Sequence, residues 1–402
     1  MNIKTFGPID ERAYAQLVRC AETGDAPYAV LCADHHVGYS QPIGGAIAYR
    51  DYISPSGVGY DIGCGNKAVL TNIMADDVDV PAVMDEIVKR ISFGMGRVND
   101  ERVDHPVLDA IADADFVPQR KLVDLARNQL GTVGSGNHYV DLFRDEQRRL
   151  WVGVHFGSRG FGHKTASGFI AMAKGFDFGD KASEGEMDSP PLLFEVKSAL
   201  GQAYIQAMML AGYYAHAGRD LVVDKVLEIL GATSQYEVHN HHNYAWHEEH
   251  YGEKLWVVRK GCTPAFPGQQ GFVGATMGDV SVILEGVDSE ASAASLYSTV
   301  HGAGRVMSRT QAAGRTKRKK NPDGSYSHTV VKVGLVDWEA VTDRLEREGV
   351  ELRGGGADEA PEAYKRLDEV LGYHRGTINV LHWLRPIGVA MAGREVFDAY
   401  KD

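Results

Sequence analysis

Apolar residues along this chain come mostly in short runs separated by glycine- and asparagine-rich turns. A short strand-like start precedes a polar helix, Glu11–Thr23. Residues 28–50 then alternate apolar runs such as Tyr28–Leu31 with turns, and include Asp34-His35-His36-Val37-Gly38. Lys67–Thr71 reads as a strand. Asp79 to Ile91 reads as a helix: Asp79 can cap it, Pro81 suits a first turn, and Val80, Val83, Met84, Ile87 and Ile91 share one face. A polar helical stretch from Asp104 to Arg127 leads into a glycine turn at Gly131 and a strand running to Leu142. Leu150–Val154 is a buried strand ending at His155, and residues 156–163 continue it as a glycine loop. Residues 194–231 are helical, with Gly212 and Gly218 as weak points and Gly231 as the C-cap. Leu255–Val258 and Val280–Leu284 are strands, Glu359–Leu371 is a helix, and strand and helix alternate to the end. No repeat, low-complexity tract or linker interrupts the pattern, so one α/β domain (mixed α+β) over residues 1–402 is expected.

Composition narrows the class. Hydrophobic residues make up 44% and charged residues 24%, as in a soluble globular protein, and 46 glycines favour tight loops over long bundles. The cysteines Cys20, Cys32, Cys64 and Cys262 show no paired spacing, and no signal peptide is evident, which points to a reduced, cytoplasmic protein without disulfides. No apolar run approaches the length of a membrane span. A net charge of −12 argues against non-specific coating of nucleic acid but leaves room for a local basic channel. Arg315, Lys317, Arg318, Lys319 and Lys320 are either a solvated loop or a polyanion contact.

The densest chemistry lies in Gly57–Asn66, where four glycines in ten residues let the backbone fold around something small. That loop holds a hard oxygen ligand, Asp61, and a soft sulfur ligand, Cys64. His138, His155 and His242 sit in or beside other turns at the ends of apolar stretches, where sites are usually built. None has zinc-finger spacing, so a metal site here would be assembled by the fold, with open positions for substrate. The donor set suits zinc, manganese, cobalt or nickel alike. Each histidine taken alone is equally at home on the surface or hydrogen-bonded in a core.

Gly134-Ser135-Gly136-Asn137 and His301-Gly302-Ala303-Gly304 can each present successive backbone N–H groups to an anion, with Arg305 and Arg309 adding charge. Neither loop has the pattern of a Rossmann or Walker nucleotide site, and ordinary turns would look the same. A neutral His301 could attack phosphorus, ligate a metal or orient a neighbour.

These segments together resemble the RtcB family of RNA-splicing ligases. The resemblance covers nearly the whole chain. It is carried by the Asp61/Cys64 loop, Gly131–His138, Val154–Gly160, His241-His242-Asn243-Tyr244, Arg259-Lys260-Gly261, His301–Arg309 and Asp358–Lys365. It implies an RtcB-like fold, with central mixed sheets flanked by helices and a metal site in strand-end loops. It also implies a GTP-dependent RNA ligase that joins a 2′,3′-cyclic phosphate or 3′-phosphate end to a 5′-hydroxyl end. By the same resemblance, two manganese ions share the cysteine: Asp61, Cys64 and His138 hold one, and Cys64, His155 and His242 the other. His301 would carry GMP. Guanylate contacts would fall on Asn137, Asp141, Asn243, Gly274, Ala275, Thr276, Met277, Ser281, Gly302, Ala303, Gly304 and Tyr364. Asp34 and His36 match the family's Asp-x-His-x-Gly segment, which disposes of a DHH-type phosphoesterase reading of Asp34-His35-His36.

Of three departures from the family pattern, the first two imply relaxed base selectivity. Asp141 replaces the usual glutamate facing guanine, the C-terminal Val-Lys-Gly is absent from Arg385–Gly393, and Gly274–Met277 replaces Pro-Gly-Ser-Met. The expected partners are RNA ends, tRNA-like or otherwise structured, and an archease-type activating protein, with no membrane. The competing functions are a metal-dependent phosphoesterase acting on RNA ends, a ligase paralogue with altered nucleotide selectivity, and a non-catalytic RNA-binding regulator.

Overall fold

The structure is a computed structural model that describes residues 1–101, 103–182, 186–320 and 326–394. Of the basic run near residue 315, only the Arg315 side chain falls within that description; the side chains of Lys317, Arg318, Lys319 and Lys320 lie outside it.

Strand Arg149–Phe156 shows how the main sheet forms. Its side chains alternate between faces, so Val152, Val154 and Phe156 enter one apolar cluster while Trp151 enters another. Tyr139–Arg144 and Gly65–Met74 alternate in the same way, which is why these runs read as continuously apolar. The sheet has 8 strands. From one edge the order runs Gln270–Val273, Ser281–Gly286, Ile378–Gly393, Tyr139–Arg144, Arg149–Phe156, Gly65–Met74, Ser234–His241, with Glu351–Gly355 paired in parallel to Ile378–Gly393. A second, 5-stranded sheet runs Asn2–Thr5, Tyr28–His36, Ile43–Tyr49, Glu253–Lys260, Asn243–His250.

The two sheets meet at one residue. Ser234–His241 ends in the first sheet and Asn243–His250 begins in the second, leaving His242 as the joint. The backbone N–H of His242 donates to the Cys64 carbonyl at 2.9 Å, and its carbonyl accepts from Cys262 N–H at 3.1 Å. This joint brings the cysteine loop and the later histidines together.

The mixed α/β expectation holds, and so do several element ends. Helix Glu11–Thr23 is capped by Asp10, whose side chain accepts from the backbone of Arg12 and Ala13. Helix Val80–Arg90 is capped by Asp79. The long helix Ala199–Leu230 ends on Gly231 in the left-handed conformation, φ 62°.

Four expectations are corrected. Gly212 and Gly218 do not interrupt the long helix. A side chain at Gly212 would meet the Tyr244 ring at 2.7 Å, and one at Gly218 would touch Phe156 at 3.4 Å, so both glycines serve close packing. The loop after His155 is short: the strand runs on through Phe156 and a helix starts at Arg159. Asp104–Arg127 is broken into three short helices, Pro106–Ala112, Val117–Arg120 and Val123–Gln129, the first opened by the His105 cap and Pro106 and the second carrying Pro118 in its first turn. Glu359–Leu371 is not one helix. An extended Ala360 divides two 3₁₀ turns, the second opened by Pro361, and an extended Tyr364 parts them from a helix at Leu367–Gly372.

Among the described residues no helix is long and apolar enough to cross a membrane. All four cysteines are buried and free.

Candidate metal and nucleotide site

The cysteine loop is held by a tight turn and a buried cation. Gly63 takes φ 69°, and the Cys64 N–H donates to the Asp61 carbonyl at 3.0 Å, closing the loop over three residues. Arg219, fully buried on the long helix, donates to the carbonyls of Gly63 (2.9 Å) and Phe156 (2.6 Å). One guanidinium thus ties this loop to the end of the His155 strand. Gly157 supplies room, since any side chain there would run into the Asp61 carboxylate.

Around Cys64 the predicted ligands converge. The Cys64 Sγ lies 3.8 Å from His138 Nε2 and 3.7 Å from His155 Nε2, and His138 Nε2 lies 3.1 Å from Asp61 Oδ2. The His242 ring stacks on His155 with centroids 5.1 Å apart, and its Nδ1 is buried without a hydrogen-bond partner, as is His138 Nδ1. His155 Nδ1 lies 2.6 Å from the Asn66 Oδ1. An amide oxygen only accepts, so the ring proton sits on Nδ1 and the Nε2 lone pair faces the sulfur.

This donor set fits a divalent ion. Ligands about 2.0–2.3 Å from one tetrahedral ion lie roughly 3.3–3.8 Å from one another, which is the spacing around Cys64. Burial holds the His155 and His242 rings well below the usual histidine range, so both are neutral and able to ligate. Burial also pushes the Cys64 thiol up, and a cation is what would return it to thiolate. Asp61 is already ionised. Burial opposes this, but hydrogen bonding and charge from His138 outweigh it and hold the carboxyl at about 2.

Among the described residues, two other clusters have ligand-type residues close together. In His216, Asp220 and His239, the Arg219 Nε donates to His239 Nε2 at 2.7 Å, which leaves the proton on Nδ1, the atom facing Asp220. Lys67 also holds Asp220 at 2.6 Å. In Asp145, Glu146 and His382, the Asp145 carboxylate is taken by Arg149 and the Trp151 indole. Neither matches the Cys64 cluster as a metal site.

His301 stands beside the cluster, its ring 4.9 Å from His242. The fully buried Asp34 places Oδ2 2.6 Å from His301 Nδ1 and accepts the His301 backbone N–H at 2.9 Å. Burial works against the Asp34 charge, but the facing His301 keeps the carboxyl below its ordinary range. An ionised carboxylate on Nδ1 leaves the Nε2 lone pair free. The turn that follows needs glycine at 304, where φ is 78° and a side chain would strike the Asp34 backbone.

His301 lines a cleft of about 850 Å³. Asn137, Asp141, Gly274–Met277, Gly302–Gly304 and Tyr364 line it too, as does His155. Asn243 and Ser281 do not. The Asn243 Oδ1 accepts the Gly261 N–H at 2.8 Å, and the Ser281 hydroxyl accepts the Ala275 N–H at 2.9 Å, so both shape backbone beside the cleft. A side chain at Gly136 would press the Arg309 guanidinium at 3.2 Å, so that cation lies against the first glycine turn. Glu359 gathers the arginines, pairing with Arg305 at 3.1 Å and Arg309 at 2.7 Å, while Arg305 also donates to the Tyr364 hydroxyl at 2.8 Å.

Sequence reasoning missed Asn66, Arg219 and Glu359 and left Asp34 without a partner. Asn66 lay inside the quoted loop, but its role depends on standing directly opposite His155 in the strand register. The other three act on residues far along the chain.

Comparison with known proteins gives the family. The family model described as tRNA-splicing ligase RtcB matches residues 16–117 and 110–392. The RNA-splicing ligase RtcB of Escherichia coli (strain K12) is 29% identical over 414 residues, covering 94% of this chain and 94% of that protein. The tRNA-splicing ligases RtcB of Archaeoglobus fulgidus and Thermococcus kodakarensis are each 30% identical, covering 90% of this chain and 87% of theirs. A single family model that runs almost from end to end, with relatives aligned over so much of their own length, makes this chain a member of the RtcB family.

Proposed function

We propose that the protein is an RNA ligase that uses GTP and two manganese ions to join RNA 2′,3′-cyclic phosphate or 3′-phosphate ends to 5′-hydroxyl ends. The observation that carries this reading is the placement of His301. Its Nδ1 is held by Asp34 at 2.6 Å, and its ring lies 4.9 Å from His242 in the thiol–imidazole cluster.

Asp61, Cys64 and His138 would hold one ion, and Cys64, His155 and His242 the other. Bound there, manganese would withdraw charge from phosphoryl oxygens during displacement. His301 Nε2 attacks the α-phosphorus of GTP, forming a P–N bond as the bond to pyrophosphate breaks. Asp34 holds the ring in the attacking tautomer and offsets the positive charge that develops on it. Water first opens a 2′,3′-cyclic end, breaking its bond to O2′ and leaving a 3′-phosphate; the RNA 3′-phosphate then displaces the imidazole, taking GMP, and the 5′-hydroxyl of the second RNA attacks the activated end with loss of GMP. The two glycine turns and Arg309 supply amide and guanidinium donors where phosphate charge accumulates. Most of the rate enhancement is positioning and charge stabilisation.

RNA with broken or cleaved ends is the proposed partner, and an archease-type activating protein belongs to the same proposal. So does a cytoplasmic location, since four buried free thiols suit a reducing compartment.

The test is incubation with manganese and labelled GTP followed by a denaturing gel. Label should remain on the protein and be absent from His301→Ala. Loss of terminal phosphate from RNA with no covalent nucleotide would favour a metal-dependent phosphoesterase instead.

A further inference from the structure

The two adjacent histidines that end the Tyr28–His36 strand have opposite surroundings. Successive side chains point to opposite faces of a strand, so Asp34 and His36 share one face and His35 takes the other. His35 is buried, and both its nitrogens are used. Its Nδ1 lies 2.6 Å from the Cys32 carbonyl, and its Nε2 accepts the Asp10 N–H at 3.1 Å. His36 is half-buried and lines the cleft together with His301. Its Nδ1 lies 3.2 Å from the Asp34 carbonyl. The Gly304 turn packs against that same carbonyl, so His36 is anchored beside the loop that carries His301.

A carbonyl only accepts, so the His36 proton sits on Nδ1 and the lone pair on Nε2. Among the described residues no donor is bonded to that Nε2. Burial lowers the His36 pKa from 6.5 to about 4, so the ring is neutral near pH 7. His301, Asp34 and Lys365 are the charged and titratable groups that face it. The other carboxyls and imidazoles lining the cleft are committed. Asp10 caps its helix, Glu359 holds Arg305 and Arg309, and His155 faces the Cys64 sulfur. Burial holds Asp141 well above the carboxylate range, so it keeps its proton. With His301 as the nucleophile, His36 is the open neutral base that remains.

Ligation needs such a base at one step. His301 attacks GTP with a lone pair, and the RNA 3′-phosphate attacks as an oxyanion, so neither nucleophile has a proton to lose. The water that opens a cyclic end gives up a proton, but the departing O2′ takes one. The 5′-hydroxyl is different. It carries a proton that an alcohol does not release near neutral pH, and GMP leaves as a phosphate that needs none. A positioned base must therefore receive that proton as the new bond forms.

We propose that His36 is the general base of the joining step. Its Nε2 takes the 5′-hydroxyl proton as O5′ bonds to the phosphorus of the activated end and the bridging P–O bond to GMP breaks. The electron pair of that bond leaves with GMP, and the imidazolium then gives its proton to water. The diphosphate of the activated end is negative, which favours the charged ring as it forms. This rests on the proposal that the cleft carries out RNA ligation.

The experiment uses the full chain loaded with manganese and isolates the joining step. RNA with a chemically installed 3′-diphosphoguanosine end is mixed with 5′-hydroxyl RNA, and joining is followed over a single turnover. His36→Asn can still donate to the Asp34 carbonyl but has no basic nitrogen. It should join about 10²–10⁴-fold more slowly, while covalent labelling by GTP stays within about threefold of the parent. Free imidazole should speed joining by His36→Ala about tenfold or more. Joining by His36→Asn within about threefold of the parent overturns the inference and leaves the ligase reading standing. Equal losses in labelling and joining, or no response to imidazole, would make the role of His36 structural and also overturn it. A parent that neither takes label from GTP nor joins the activated RNA overturns the ligase reading together with the inference.

Discussion

Asp34 and His301 are 267 residues apart in sequence, yet Oδ2 of one lies 2.6 Å from Nδ1 of the other. The same oxygen accepts the His301 backbone N–H, so it fixes both the ring and the chain that carries it. This contact selects the tautomer with the Nε2 lone pair free.

Asp34→Asn should therefore impair nucleotide transfer without emptying the metal site. An amide can present N–H groups to Nδ1 and stabilise the wrong tautomer, and it lacks the charge that steadies the imidazolium. The expected loss in the rate of covalent labelling is about 10²–10⁴-fold, with metal content by elemental analysis unchanged. Parent-like labelling would remove Asp34 from the mechanism, and loss of metal would make its role structural.

Cys64 tests the shared-ligand arrangement. Its sulfur is the atom within 4 Å of both His138 Nε2 and His155 Nε2. Cys64→Ala should lose both manganese ions, because the remaining ligands cannot close either site. Near-normal metal content by elemental analysis would refute a bridging sulfur. Loss of one ion only would place the thiolate in a single site.

How much of this was legible in the sequence depends on the range of the interaction. Asp79 and Gly231 mark helix ends because a cap acts within a few residues of itself. The candidate ligands were legible as residue types in or beside turns, and their division between two ions came from the resemblance. What escaped were side chains whose partners are set by tertiary register. Asn66 opposite His155, Arg219 across two loops and Glu359 beneath two arginines all depend on which strands and turns become neighbours. Gly212 looked like a break in a helix because its tight contact, Tyr244, lies in the other sheet. Glu359 looked like a helix start, but its carboxylate is drawn to Arg305 and Arg309, and Pro361 cannot continue the backbone ladder.

Asn66 gives a graded test of the metal centre. Its Oδ1 takes the His155 Nδ1 proton at 2.6 Å, and its Nδ2 donates to the Phe272 carbonyl at 2.9 Å, so the amide is oriented by backbone. Asn66→Ala should leave every ligand in place while freeing the His155 ring to turn and change tautomer. Manganese affinity should fall about 10–100-fold, as when other groups that orient ligating histidines are removed. Titration of metal-stripped protein measures it. An unchanged affinity would mean that packing alone holds the ring.

His374 provides a prediction for stability against pH. It is fully buried, stacks on Phe6 with centroids 4.1 Å apart, and accepts the Ala33 N–H on Nε2 at 3.2 Å. That acceptor role requires a neutral ring, and burial lowers its pKa from 6.5 to about 4. In the unfolded chain the ring protonates below about pH 6.5, so the unfolded state then binds more protons and stability rises with pH. The contribution is complete above pH 6.5, shrinks as pH falls towards 4, and levels off below that. Over this window it amounts to about 3 kcal/mol. His374→Gln keeps an acceptor but cannot titrate there. Urea unfolding at pH 7 and pH 4.5 should show the parent losing more stability than the variant by an amount of this order. Equal losses would place the acid sensitivity in other buried groups.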